Sequence, residues 1–100
     1  MTVTMVDNRF QPDHLTFQAR QAYALHLVNH GKEMHEFTAP AFFKAARVRD
    51  ASRLANGGTD VVVQPGQSTT LVLRAPPPGH YPLSCADHDW DGMLGEIDVR

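Results

Sequence analysis

The sequence predicts an all-β fold, a sandwich of two sheets with a short helix inserted in the middle of the chain. Stretches of period-two alternation recur along it, as in Tyr23, Leu25 and Leu27 set against Ala22, Ala24, His26 and Val28. Turn signals separate these stretches at short intervals: Asp7-Asn8-Arg9, Gln11-Pro12-Asp13, Asn29-His30-Gly31-Lys32 and Gln64-Pro65-Gly66-Gln67. About seven short strands divided this way read as a β-sandwich.

The elements follow in order. Val3 and Met5 share one face of an opening strand, and Leu15-Thr16-Phe17 forms a second. The alternating run 22–28 is a third, and the turn after it leads into Met34-His35-Glu36-Phe37. Thr38 is placed to cap a helix starting near Pro40, because proline fits the first helical position. Good helix formers flank Phe42 and Phe43 through Ala46, and the stretch 47–56 either continues the helix to Gly57-Gly58 or lies as an irregular flap. Strands resume at Thr59–Val63 and Thr69–Leu73. Ala75-Pro76-Pro77-Pro78-Gly79 is excluded from any central strand because its prolines lack a ladder donor. Tyr81-Pro82-Leu83 leads to Cys85, and Leu94–Val99 closes the chain with Gly95, Ile97 and Val99 on one face.

A chain of 100 residues makes one domain, 1–100, with 42% apolar and 20% charged residues. A formal charge of −2 gives no reason to expect nucleic acid or an anionic membrane as partner. No apolar run approaches the roughly 18 residues of a membrane span. Met1-Thr2-Val3-Thr4 enters strand-like sequence without a basic or apolar leader, so the protein is either cytosolic or written here without its signal peptide. The one cysteine rules out an internal disulfide, a two-cysteine copper site and a four-cysteine zinc knuckle. Cys85 is then buried and inert, catalytic, or a ligand.

Chemistry concentrates near the end. Cys85, His88 and Met93 fall within nine positions, with two residues between the first pair and four between the second. Thiolate, imidazole and thioether together suit copper, and a Cys with two His and a weak axial Met is an electron-transfer arrangement of that metal. One imidazole is missing, and His35 is the best candidate to supply it. A nucleophilic role is disfavoured, since two residues apart on a loop is a poor geometry for Cys85 and His88 as nucleophile and base. A lone cysteine is most often a small buried hydrophobe, but Met93 and the strand framework around it favour the ligand.

These residues carry a resemblance. Thr4-Met5-Val6-Asp7-Asn8-Arg9-Phe10-Gln11-Pro12, Leu27-Val28-Asn29-His30-Gly31, His35-Glu36-Phe37, Gly79-His80-Tyr81-Pro82-Leu83-Ser84-Cys85 and Gly92-Met93-Leu94-Gly95 resemble the cupredoxins over essentially the whole chain. The likeness is to small bacterial periplasmic plastocyanin-like or azurin-like proteins, and the Cys-x₂-His-x₄-Met spacing equals that of plastocyanins. It implies a Greek-key sandwich with one copper ion held by His35, Cys85, His88 and Met93. It also implies a periplasmic, monomeric, non-enzymatic carrier of single electrons between redox proteins such as a cytochrome or an oxidase.

The chain departs from the family in two places. Glu36 stands where many members have an asparagine, and the turn at Arg20-Gln21-Ala22 lacks the usual glycine. Glu36 is either a group near the metal, a competing oxygen ligand, or a solvated carboxylate on a strand edge, the last being favoured. Met34 is expected in the core, His26 exposed or interfacial on its strand, His30 and His14 in solvated turns, and His80 on a strand surface. Asp87, Asp89 and Asp91 make either a negative docking patch or a solvated loop, and Trp90 an apolar rim or a cover. Two other functions use the same sequence: a copper resistance or delivery protein with the same ligands, and a domain detached from a multicopper oxidase. The absence of His-x-His pairs makes the last weak.

Overall fold

In the computed structural model, which describes residues 1–85 and 93–100, ten strands form two sheets. The strands are β1 (Thr2–Val6), β2 (Arg9–Gln11), β3 (His14–Phe17), β4 (Ala22–Asn29), β5 (His35–Thr38), β6 (Arg47–Val48), β7 (Asp60–Val63), β8 (Ser68–Arg74), β9 (Gly79–Ser84) and β10 (Leu94–Val99), with helix α1 (Pro40–Ala45) after β5. One sheet runs β2-β1-β4-β8-β6 and the other β3-β10-β9-β5-β7. From β4 to β9 the chain alternates between the two sheets, the crossing pattern of a Greek-key sandwich.

Alternation explains the layering. Val3 and Met5, Leu25 and Leu27, and Leu71 and Leu73 turn inward from the first sheet. Leu15, Phe17, Phe37, Leu83, Ile97 and Val99 meet them from the second. Each buried side chain of this size contributes roughly 1.5–3 kcal/mol by leaving water. Aromatic rings knit the layers: Phe17 packs on Tyr23 with centroids 4.8 Å apart and on Phe42 at 5.1 Å, and Phe10 meets Phe37 edge-on at 5.9 Å. Tyr81 packs on Phe42 and donates its hydroxyl hydrogen to the Pro77 carbonyl at 2.7 Å, which ties the proline segment to β9.

Several expectations change in detail. The helix begins at Pro40 as anticipated, but Ala39, not Thr38, is its N-cap, with no side-chain cap. Thr38 instead ends β5, paired with Asp60 and Ser84. The helix stops at Ala45, because Ala46 is extended and Val48 is drawn into a two-residue strand against Leu73. A 3₁₀ turn at Ala51–Arg53 follows, so the stretch 47–56 is neither helix nor wholly irregular. β2 and β6 are strands too short to read from pattern. Arg20 adopts a φ of +63°, so an arginine holds the left-handed position where glycine is usual.

Candidate metal centre

Three strand ends meet at one end of the sandwich. β9 and β10 pair antiparallel with Ser84 opposite Leu94, so Cys85 and Met93 form the next rung, and the Cys85 N–H donates to the Met93 carbonyl at 3.0 Å. β5 starts at His35, and the N–H of the following residue, Glu36, donates to Cys85 Sγ at 3.3 Å. This contact places the first residue of β5 beside the thiol. Cys85 and Met93 are 0% exposed and His35 is 1% exposed, so all three side chains are withdrawn from solvent at this end of the sandwich.

His35 is positioned by the turn before it. Asn29, fully buried at the end of β4, accepts the Gly31 N–H at 2.8 Å and donates from Nδ2 to the Glu33 and Val63 carbonyls at 2.9 Å each. Its backbone N–H and carbonyl bond Gln67 and Gly66. One amide thus joins β4, the turn 30–34, β7 and the turn 64–67. Gly31 lies against the His35 ring: a β-carbon there would come 2.9 Å from Nε2 and 3.1 Å from Asn29 Oδ1. Nε2 therefore faces the turn, and the buried Nδ1 lies on the opposite edge of the ring.

Of the expected ligands, Cys85 and Met93 are adjacent through a backbone hydrogen bond, and His35 is buried at the start of β5, one residue before the N–H that reaches Cys85 Sγ. His88 lies outside the described residues, as do Asp87, Asp89, Trp90 and Asp91. Among the described residues, His, Cys, Asp and Glu side chains make no group of three able to hold a metal. Glu36 corrects the expectation of a solvated carboxylate: it is 7% exposed, and β5 is an interior strand between β9 and β7. Met34 is half-buried rather than core, and His30 is exposed in its turn. His26 is half-buried and bonded through Nδ1 to Thr70 Oγ1 at 2.7 Å. His14 stands on β3, not in a turn. With His80 of β9 it flanks Asp98: His14 Nε2 lies 2.6 Å from Oδ2 and His80 Nδ1 lies 2.7 Å from Oδ1.

Asn29 is the functional residue that sequence reasoning passed over. The available signal was an asparagine at a strand end before His-Gly, where an Asx-type turn is favoured. Nothing local announced its bond to Val63, 34 positions away.

Known proteins share this architecture. The cupredoxin-like domain model matches residues 1–99. Among solved structures, auracyanin from the photosynthetic bacterium Roseiflexus castenholzii superposes with a TM-score of 0.75 at 17% identity, covering 99% of this chain and 94% of its own. Auracyanin B gives 0.74 at 21% identity, covering 100% and 87%. A reduced Cu(I) form of an amicyanin variant gives 0.63 at 16%, covering 100% and 81%. No curated protein matches the chain. With the model spanning all but the final residue, the chain belongs to the cupredoxin-like domain family.

Proposed function

We propose that this protein is a mononuclear type 1 copper protein that carries single electrons between redox partners. The observation that supports it best is the burial of Cys85 and Met93 on one rung, with the N–H of the residue after buried His35 donating to Cys85 Sγ. The donor set fits the group: thiolate, imidazole and thioether are the soft-to-intermediate ligands that copper takes in electron-transfer sites. His35, Cys85, His88 and Met93 would hold it, and copper would supply a centre that cycles between two oxidation states one electron apart. A structural likeness points the same way, since an amicyanin neighbour is a Cu(I) form.

The chain's own part is rigidity. Asn29 and Gly31 hold the His35 ring, the β9–β10 rung holds Cys85 against Met93, and the Glu36 N–H holds the sulfur. Donors fixed this way move little when charge changes, which keeps the reorganisation on electron transfer small, and hydrogen bonds to the sulfur tune the potential. Glu36 makes its bond through the backbone, so that contact is independent of the side chain that replaces the family's asparagine. A periplasmic location and a cytochrome or oxidase partner accompany this reading.

The test is a visible absorption spectrum after one equivalent of Cu(II), repeated on Cys85→Ala and His88→Ala, followed by voltammetry. We expect an intense thiolate-to-copper band that disappears in Cys85→Ala, changes in His88→Ala, and accompanies a reversible one-electron wave. A colourless copper-loaded protein would overturn the electron-carrier reading.

A further inference from the structure

Four arginines gather on the outer side of the sheet formed by β4, β8 and β6. A groove of about 220 Å³ is lined by Arg47, Arg49 and Arg74. A second, of about 160 Å³, is lined by Arg49 and Arg53, and Asp50 is the single carboxylate in the two linings. The grooves share Arg49 and Val72, so they form one trough. Val72, 40% exposed, offers an apolar contact at the junction.

The fold does not account for this charge. Arg47 sits directly opposite Arg74 across the β6–β8 pair, where like charges weaken pairing. Two of the guanidinium groups are nonetheless held. Arg74 Nη1 donates to the Arg20 carbonyl at 2.6 Å, and Arg53 donates to Thr69 Oγ1 at 3.2 Å, with Nε 3.5 Å from Asp50. Each guanidinium carries five donors, so several remain after these bonds. Held forks with spare donors suit carboxylates, which they engage through two parallel hydrogen bonds.

We propose that this trough docks an acidic, carboxylate-bearing segment of a partner protein. A segment fits better than an extended polyanion: the whole chain carries a formal charge of −2, so a membrane or nucleic acid meets net repulsion, while a narrow acidic strip meets only the local arginines. The Arg47–Arg74 end of the trough is remote from the candidate metal centre, whereas Arg53, bonded to Thr69 opposite Leu27, lies nearer to it. Arg74 pairs with Ala22 at one end of β4, and Asn29 lies at the other end, about 23 Å away at 3.3 Å per residue. A partner held here leaves the His35–Cys85–Met93 end open, and the proposal does not depend on the metal reading.

The test is an NMR titration of the ¹⁵N-labelled protein with an acetylated poly-Glu peptide at low and high salt, alongside phosphatidylglycerol vesicles. We expect shifts confined to residues around Arg47, Arg49, Arg53, Arg74 and Val72, abolished by salt. Affinity should fall roughly tenfold in Arg47→Gln/Arg49→Gln. The control Arg9→Gln/Lys32→Gln removes the same two charges elsewhere and should bind as the parent does. The Arg47→Gln/Arg49→Gln variant should melt no lower than the parent, since it relieves the Arg47–Arg74 repulsion. Shifts spread over the surface, equal loss in the control, or vesicle binding without peptide binding would each overturn the proposal.

Discussion

Gly31 and His35 are packed so closely that the glycine decides how the imidazole sits. A methyl group at position 31 would meet His35 Nε2 at 2.9 Å and Asn29 Oδ1 at 3.1 Å. Neither neighbour gives way easily, because the ring is buried and the amide is fixed by three hydrogen bonds. Gly31→Ala should therefore destabilise the metal-free protein by about 1–2 kcal/mol, the usual cost of overpacking. It should also lower Cu(II) affinity and alter the visible band. Urea denaturation and a copper titration check the two effects; an unchanged spectrum would mean that the ring is not held by the turn. At the same scale, Glu36, after the first candidate ligand, is buried and donates its backbone N–H to the sulfur.

Among the strands, β3 is an edge strand joined to β10 by parallel pairing, and a side-chain strap spans three strands on their outer face. Asp98 of β10 receives His80 of β9 on one oxygen and His14 of β3 on the other. The hydrogen bond to Asp98 lifts the His80 imidazole above its ordinary value of 6.5. The bonds from His80 and then His14 hold the Asp98 carboxyl below its ordinary 3.8. The raised histidine contributes stability that is complete below pH 6.5 and lost as pH rises through its folded value. The lowered carboxyl contributes stability present above pH 3.8 and lost as pH falls through its folded value. The strap is thus strongest between pH 3.8 and 6.5. The groups are exposed and the effect is small. Raising the pH from about 5 to about 8 should lower the melting temperature of the parent more than that of Asp98→Asn. Equal slopes in a thermal scan would rule the strap out as a pH-dependent contact.

At the scale of the molecule, helix α1 completes the core that the sheets leave open. Phe42 contacts Phe17, Phe43 and Tyr81, with ring centroids 5.1, 5.6 and 5.9 Å away, and it is fully buried. Phe42→Ala should cost about 3–5 kcal/mol, a large share of the stability of a small domain. A chemical denaturation midpoint measures this directly, and a loss below 1 kcal/mol would show that the helix is only a cover. Phe42 packs on Tyr81, which lies before Leu83 and Ser84 on the strand that leads to Cys85, so the variant, where folded, should keep its copper spectrum. Charge is distributed unevenly over the same body: the arginine trough lies on the first sheet, and the His14–Asp98–His80 strap on the second.

Local spacing was enough to determine the strand class and the helix start at Pro40, and it singled out Cys85, His88 and Met93 as candidates, because these depend on residues near one another in the chain. His35 was singled out by seeking a second imidazole, and the structure buries it at the start of β5. What only tertiary structure decided depends on contacts between distant positions. The burial of Glu36 follows from β5 lying between β9 and β7. The bond from Asn29 to Val63 spans 34 positions, and that between His14 and Asp98 spans 84. The juxtaposition of Arg47 with Arg74 needed a two-residue strand that no pattern of period two could announce. Periodicity records which face of an element is apolar; which elements share a sheet, and in what register, is set by how the two faces pack.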